Sequence, residues 1–245
     1  MTRPRPLQGR RVAVLATDGF ELVELTVPVA ALRAAGATVH IVSLRAGRIR
    51  GMNLHEPAAR VRVDRLLGDV TPEEYDALLI PGGFINPDLL RQSEAARLFV
   101  RAFDETRKPI ATLCHGPWLL ASAGVTPGRV LTSWPGIRDD LVHAGATWLD
   151  EDVVYDGNWV SSRGPQDLTA FTRATLTHFG DAPTELRARS ALTLSAPQRS
   201  EPPAAAISAM KWTPLPALRG ALELGVLSAA AWTLLRNVGK EARHP

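Results

Sequence analysis

Along the first 180 residues, short apolar runs rich in β-branched side chains alternate with longer stretches of helical periodicity. Residues 11–17 read as a buried strand, 21–35 as a helix and 38–44 as a second strand, with Ala34, Ala35 and Gly36 supplying the helix end. The rhythm resumes with a strand over 77–80, closed by Pro81, Gly82 and Gly83. A helix over about 93–107 and a strand over 110–113 follow, leading into Cys114. After Gly116 the run PWLLASAG predicts a short helix with Pro117 in its first turn. Residues 131–133 and a helical IRDDLVHAGA come next, then a hairpin over 153–155 and 159–161 about Asp156-Gly157, and a last helix from about 166 to 179.

Strands that are almost wholly apolar imply a sheet covered on both faces, and their alternation with helices implies parallel pairing. The predicted fold class is therefore α/β: a flavodoxin-like three-layer sandwich with a mostly parallel sheet and a small hairpin.

From Asp181 the texture changes. Residues 181–210 are rich in Ala, Pro, Arg and Ser and read as a linker, and 211–245 as an apolar helical extension, which leaves 1–180 as the α/β domain. Within 215–238 only 224–235 is free of charge, too short for the roughly twenty apolar residues that span a bilayer. A docked helix is the first expectation for this segment. A disordered appendage comes next, and a membrane-surface helix after it, since Trp212 and Trp232 flank the apolar run.

Charge and cysteine content narrow the chemistry. The net charge of +3 arises in residues 181–245, which hold eight Lys or Arg against five Asp or Glu and leave twenty of each in residues 1–180. With no basic run, nucleic acid is not an expected partner. The first ten residues pass directly into a strand rather than a signal-peptide apolar stretch, so a cytoplasmic location is expected. A single cysteine forms no internal disulfide, and without a cysteine or histidine cluster neither a metal nor a cofactor is expected.

That cysteine, Cys114, lies between a strand and a helix. Its thiol belongs at the carboxyl end of the sheet above a helix N-terminus, where amide donors favour a thiolate and can cradle an oxyanion. The local pattern leaves open a small buried structural cysteine. His115 can cooperate with its neighbour only if the turn bends sharply, because consecutive side chains diverge in an extended strand.

The stretch KPIATLCHGPWLLASAGV resembles the signature of the PfpI family, within the class I glutamine amidotransferase-like fold. It is joined in order by FELVEL, LLIPGG, LTSWPGIRDDLVHAGA and SSRGPQDL, so the resemblance covers roughly residues 10–180. It implies a nucleophile at Cys114, its partner His115, and a first-loop glutamate corresponding to Glu21. A carboxylate beside a thiolate would raise the thiol pKa, so Glu21 would have to be protonated and donate a hydrogen bond to sulfur. The resemblance further implies an acid that orients the histidine from a neighbouring subunit, matched by Asp88 in FINPDLL, and hence a homo-oligomer. Gly82, Gly83, Gly116 and Trp118 would form the oxyanion and substrate pocket, with Trp118 departing from the polar residue that many relatives carry.

The function implied is a cysteine hydrolase. Its substrate would be a dicarbonyl or dicarbonyl-modified group, as for a protein deglycase or glyoxalase, or a peptide. The alternative is a cysteine redox sensor or stress chaperone without turnover, for which no resolving cysteine exists in the chain.

Overall fold

The computed structural model describes residues 5–180 and 194–201. In chain order the elements begin with β1 (Arg11–Leu15), β2 (Phe20–Glu21), α1 (Leu22–Ala34), β3 (Thr38–Ser43), β4 (Arg48–Asn53), β5 (Glu56–Arg62) and β6 (Arg65–Leu66). They continue with β7 (Ala77–Ile80), α2 (Ile85–Gln92), α3 (Glu94–Glu105), β8 (Ile110–Leu113), α4 (Pro117–Ala123) and β9 (Val130–Leu131). The last are α5 (Arg138–His143), β10 (Thr147–Trp148), β11 (Val153–Asp156), β12 (Trp159–Ser162) and α6 (Leu168–Gly180).

Seven strands form the central sheet in the order β11-β12-β8-β7-β1-β3-β6. All neighbours are parallel except the edge hairpin β11–β12, the one predicted about Asp156-Gly157. Pleat alternation divides β1 between two cores. Ala13 and Leu15 face a cluster with Leu90, Phe99, Phe103 and Leu120 from α2, α3 and α4. Val12 and Val14 face one with Leu25, Leu32, Phe171 and Phe179 from α1 and α6. Helices thus cover both faces of a mostly parallel sheet, the flavodoxin-like sandwich expected. Each fully buried Leu or Phe in these layers contributes about 1.5–3 kcal/mol of transfer free energy.

Local chemistry sets the ends of the helices. The Ser93 hydroxyl caps α3 by accepting the Ala96 N–H at 3.3 Å, and Ala96, Phe99, Val100 and Phe103 form its buried stripe. Helix α4 starts at Pro117 and stops at Gly124, which takes a left-handed φ of +74°.

The hairpin β4–β5 was not predicted. Its sequence, RIRGMN and EPAARVR, carries four arginines and a proline, and only Ile49 and Gly51 are buried within it. It pairs through β4 with β2, ahead of α1, and so covers the first loop.

Of the segment read as a linker, residues 195–199 are docked on the domain. The Ala196 N–H donates to the Trp148 carbonyl at 2.8 Å, and Arg199 pairs with Asp150 at 2.7 Å. The expected extension over 211–245 lies outside the described residues. No helix among the described residues is long and apolar enough to cross a membrane.

Candidate functional site

The site sits at the carboxyl ends of β7 and β8, in the middle of the sheet. Cys114 ends β8 with φ +57°, a left-handed conformation that costs an L-residue about 1–2 kcal/mol. Two hydrogen bonds hold it there. The Cys114 N–H donates to the Ser162 carbonyl at 3.1 Å, and its carbonyl accepts the Trp134 N–H at 2.9 Å. The bend turns consecutive side chains toward each other, so the Cys114 Sγ lies 3.2 Å from the His115 Nδ1.

The carboxyl at the sulfur is that of Glu24, not of Glu21. Glu24 is fully buried, hydrogen bonded to Cys114, and accepts the Gly82 N–H through Oε2 at 2.8 Å. Glu21 precedes the first turn of α1 without capping it and turns to the hairpin, where its Oε2 accepts the Leu54 N–H at 2.8 Å. The reason is helical phase. Glu24 shares the buried face of α1 with Leu25, Pro28 and Leu32, whereas Glu21 precedes the helix. Burial raises both carboxyls. Glu24 is pushed up to about 8, by desolvation first and by the charge of Glu21 second. Glu21 is raised by desolvation against the pull of the Leu54 N–H.

Burial also pushes the Cys114 thiol up, and a charged Glu24 would push it further; the backbone N–H groups of Gly83 and His115, both directed at the sulfur, pull it down. This differs from the lowering expected of a helix N-terminus, because desolvation outweighs a seven-residue helix. His115 is depressed to about 4 by its burial, so it is neutral around pH 7. The shared proton therefore resides on the Glu24–Cys114 pair and not on the imidazole. That pair loses its first proton from Glu24, at about 8, because burial and the Glu24 charge hold the thiol above its ordinary value; the Glu24 Oε2 keeps the Gly82 N–H, and the two amide donors at sulfur offset part of the cost of a thiolate.

The glycines of the predicted pocket allow close approach. A Cβ on Gly82 would lie 2.5 Å from the Cys114 Cβ and 2.6 Å from the Glu24 Oε2. Gly83, at φ +77°, passes so near the first loop that a Cβ would lie 2.3 Å from the Gly19 carbonyl. A Cβ on Gly116 would meet the Thr112 Oγ1 at 2.4 Å. Buried Asn86 fixes this turn, donating to the carbonyls of Pro81 at 2.9 Å and Gly82 at 3.2 Å while accepting the Thr17 N–H at 2.7 Å.

Three aromatic rings surround His115. Trp134 stacks on it at 5.9 Å, Trp118 meets it edge-on at 5.1 Å, and half-exposed Phe84 lies 6.5 Å away. Trp118 does more than pack beneath the helix: its Nε1 donates to Asp140 at 2.8 Å, and Arg91 lies over its ring. Asp88 stands exposed on α2, with its carboxylate accepting from Gln92 at 3.3 Å; within one chain it is not brought to His115. A separate cleft of about 390 Å³, between α1 and the hairpin, is lined by Val29, Arg33, Val61 and Asp64 and does not include Cys114.

The structure brings Cys114, His115 and the glycine turn together as the sequence reading placed them, and it adds Glu24, Asn86, Phe84 and Trp134, which that reading did not name. Only Glu24 left a signal, as an acid in phase with the apolar stripe of its helix.

A buried, hydrogen-bonded thiol on a strained turn between a central strand and a helix defines a cysteine-centred α/β protein. The sequence profile of the DJ-1/PfpI family matches residues 10–178, and the chain belongs to that family. It is 45% identical over 163 residues to the Deglycase PfpI of Pyrococcus furiosus, covering 66% of this chain and 95% of that one. To the Protein/nucleic acid deglycase 2 of Escherichia coli it is 42% identical over 174 residues, covering 70% of this chain and 99% of that one. Among solved structures it resembles a two-domain protein from Anabaena variabilis containing DJ-1/ThiJ/PfpI-like and ferritin-like domains, with TM-score 0.67 and 31% identity. That match covers 73% of this chain and about half, 52%, of the two-domain protein.

Proposed function

We propose that this chain is a cysteine-dependent hydrolase of the deglycase type, acting on dicarbonyl adducts of amine or guanidine groups. The observation that carries the reading is the convergence of four groups on the Cys114 sulfur: the Glu24 carboxyl, the His115 Nδ1 at 3.2 Å and the backbone N–H groups of Gly83 and His115. The names of the relatives from Pyrococcus furiosus and Escherichia coli support it. Cys114 is only 6% exposed, beside the ring of His115 and its aromatic neighbours. A small adduct on a flexible side chain reaches such a sulfur more readily than a continuous peptide backbone does.

In this mechanism the carbon–nitrogen bond of the adduct's carbinolamine breaks as a proton from the Glu24 carboxyl, relayed by His115, reaches the departing nitrogen, and the thiolate bonds the same carbon to give a hemithioacetal. The C–H proton of that carbon then moves to the neighbouring carbonyl carbon through an enediolate, whose oxygen charge the N–H groups of Gly83 and His115 can meet, so that the sulfur-bearing carbon is oxidised to a thioester as its neighbour is reduced to an alcohol. Water cleaves the thioester, restoring the thiol and releasing a 2-hydroxy acid. Asp88 completes the site in this reading by approaching His115 of a second copy, which requires a homo-oligomer.

The test is release of free arginine side chains from a methylglyoxal-treated peptide by wild type and Cys114→Ala, run beside cleavage of an unmodified fluorogenic peptide. Release by wild type alone supports the deglycase. Peptide cleavage without adduct removal selects the peptidase, and equal release by both proteins removes Cys114 from the chemistry.

A further inference from the structure

The backbone of Cys114 is held on each side by one residue: Ser162 at its N–H and Trp134 at its carbonyl. Both supports trace back to residues 195–199, beyond the 10–178 region that matches the family. On the first route the Trp148 N–H donates to the Ser195 Oγ at 3.1 Å, and the Trp148 carbonyl accepts the Ala196 N–H at 2.8 Å. Trp148 is fully buried, and its Nε1 donates to the Ser133 Oγ at 2.9 Å. The Ser133 hydroxyl in turn donates to the carbonyl of Trp134, whose ring stacks on His115. The Arg138 Nε bonds the Ala196 carbonyl at 2.8 Å, so the strap is gripped from α5 as well.

On the second route Arg199 makes a two-pronged contact with Asp150, at 2.7 and 3.0 Å. Asp150 also accepts from Arg163 at 3.0 Å, and Arg163 is forked onto Asp167 at 2.7 and 3.0 Å. Arg163 directly follows Ser162, the residue that holds the Cys114 N–H. Isolated surface ion pairs contribute little to stability, but an Arg bonded in two places fixes the direction of a loop.

We infer that residues 195–199 form a strap that positions the Cys114 turn and the His115 ring from both sides, with Ser195 and Arg199 as positioning residues. The region that matches the family ends at 178, before this support, so the geometry of the thiol depends on a segment that composition presents as a linker. The inference rests on Cys114 being the working nucleophile, but its geometric part can be read independently.

The test uses the full chain carrying Arg199→Ala, Arg199→Lys or Ala196→Pro, the last removing the N–H bonded to Trp148. Two quantities are followed across pH: the rate of Cys114 alkylation by iodoacetamide, and the ring-proton NMR shifts of His115, which sense the stacked Trp134. The strap predicts that Arg199→Ala and Ala196→Pro change alkylation near neutral pH by roughly threefold to tenfold. That is less than the ~100-fold a full 1 Å misplacement can cost. It also predicts displaced His115 shifts, with Arg199→Lys lying between wild type and Arg199→Ala. Two alkylation profiles and two sets of His115 shifts superimposable on wild type in both Arg199→Ala and Ala196→Pro overturn it. If wild-type Cys114 proves inert to iodoacetamide, the nucleophile reading fails, while the His115 shifts still decide whether the strap positions the ring.

Discussion

The Cys114 Sγ lies 3.2 Å from the Nδ1 of His115, its immediate neighbour in the chain. Consecutive side chains on a strand point to opposite faces, so this contact exists only because Cys114 adopts φ +57°. Strain at a single residue, maintained by Ser162 and Trp134, places sulfur, imidazole and the Glu24 carboxyl in one site.

Glu24 and Glu21 are separable by mutation. Glu24→Gln preserves the shape of the side chain but removes the proton donor at sulfur, and adduct release should fall by at least about 100-fold, the range typical of a lost acid–base group. Glu21→Gln alters a carboxyl bonded to the hairpin at Leu54 and should cost less than about tenfold. Steady-state rates of the two variants with the same modified peptide check this order.

Stability should carry the mark of both buried groups, with opposite signs. Glu24 is near 4.5 when unfolded and about 8 when folded, so between these values the folded state holds a proton that the unfolded state lacks. Stability therefore falls as pH rises from 4.5 to about 8, by up to about 5 kcal/mol at ~1.4 kcal/mol per pH unit. His115 moves from 6.5 unfolded to about 4 folded, so its contribution rises with pH over that window. The two slopes oppose each other from 4.5 to 6.5, and only the Glu24 fall remains from 6.5 to about 8. Urea denaturation at a series of pH values should show that fall in wild type and its absence in Glu24→Gln.

Gly82→Ala should damage the site by crowding alone. The new methyl would meet the Cys114 Cβ at 2.5 Å, and neither that atom nor the adjoining backbone can withdraw without moving the turn. Overpacking of this kind costs about 1–3 kcal/mol. Thermal melting together with adduct release should show a lowered Tm and a larger loss of turnover than of stability.

The sandwich was legible because its strands are apolar on both faces and its helices carry clear ends, as at Ser93 and Gly124. The Cys114 turn was legible because strand, Cys114 and Pro117 stand in direct succession. Glu24 was harder to see, since acids are ordinarily exposed and only its phase with Pro28 and Leu32 betrays burial. The hairpin β4–β5 escaped because it is arginine-rich and buries little. The strap escaped for a different reason: Ser195, Ala196 and Arg199 act through backbone groups and one ion pair, which leave no hydrophobic period to read.

The central claim is that Cys114 is a nucleophile whose proton is shared with Glu24. The measurement that tests it most directly is the pH dependence of Cys114 alkylation in wild type and Glu24→Gln. The account predicts a reactive wild-type thiol whose rate climbs above neutral pH, and a Glu24→Gln profile displaced to lower pH because a carboxyl that is charged above about 8 no longer raises the thiol. Identical profiles in the two proteins, or a thiol inert throughout the range, would contradict it.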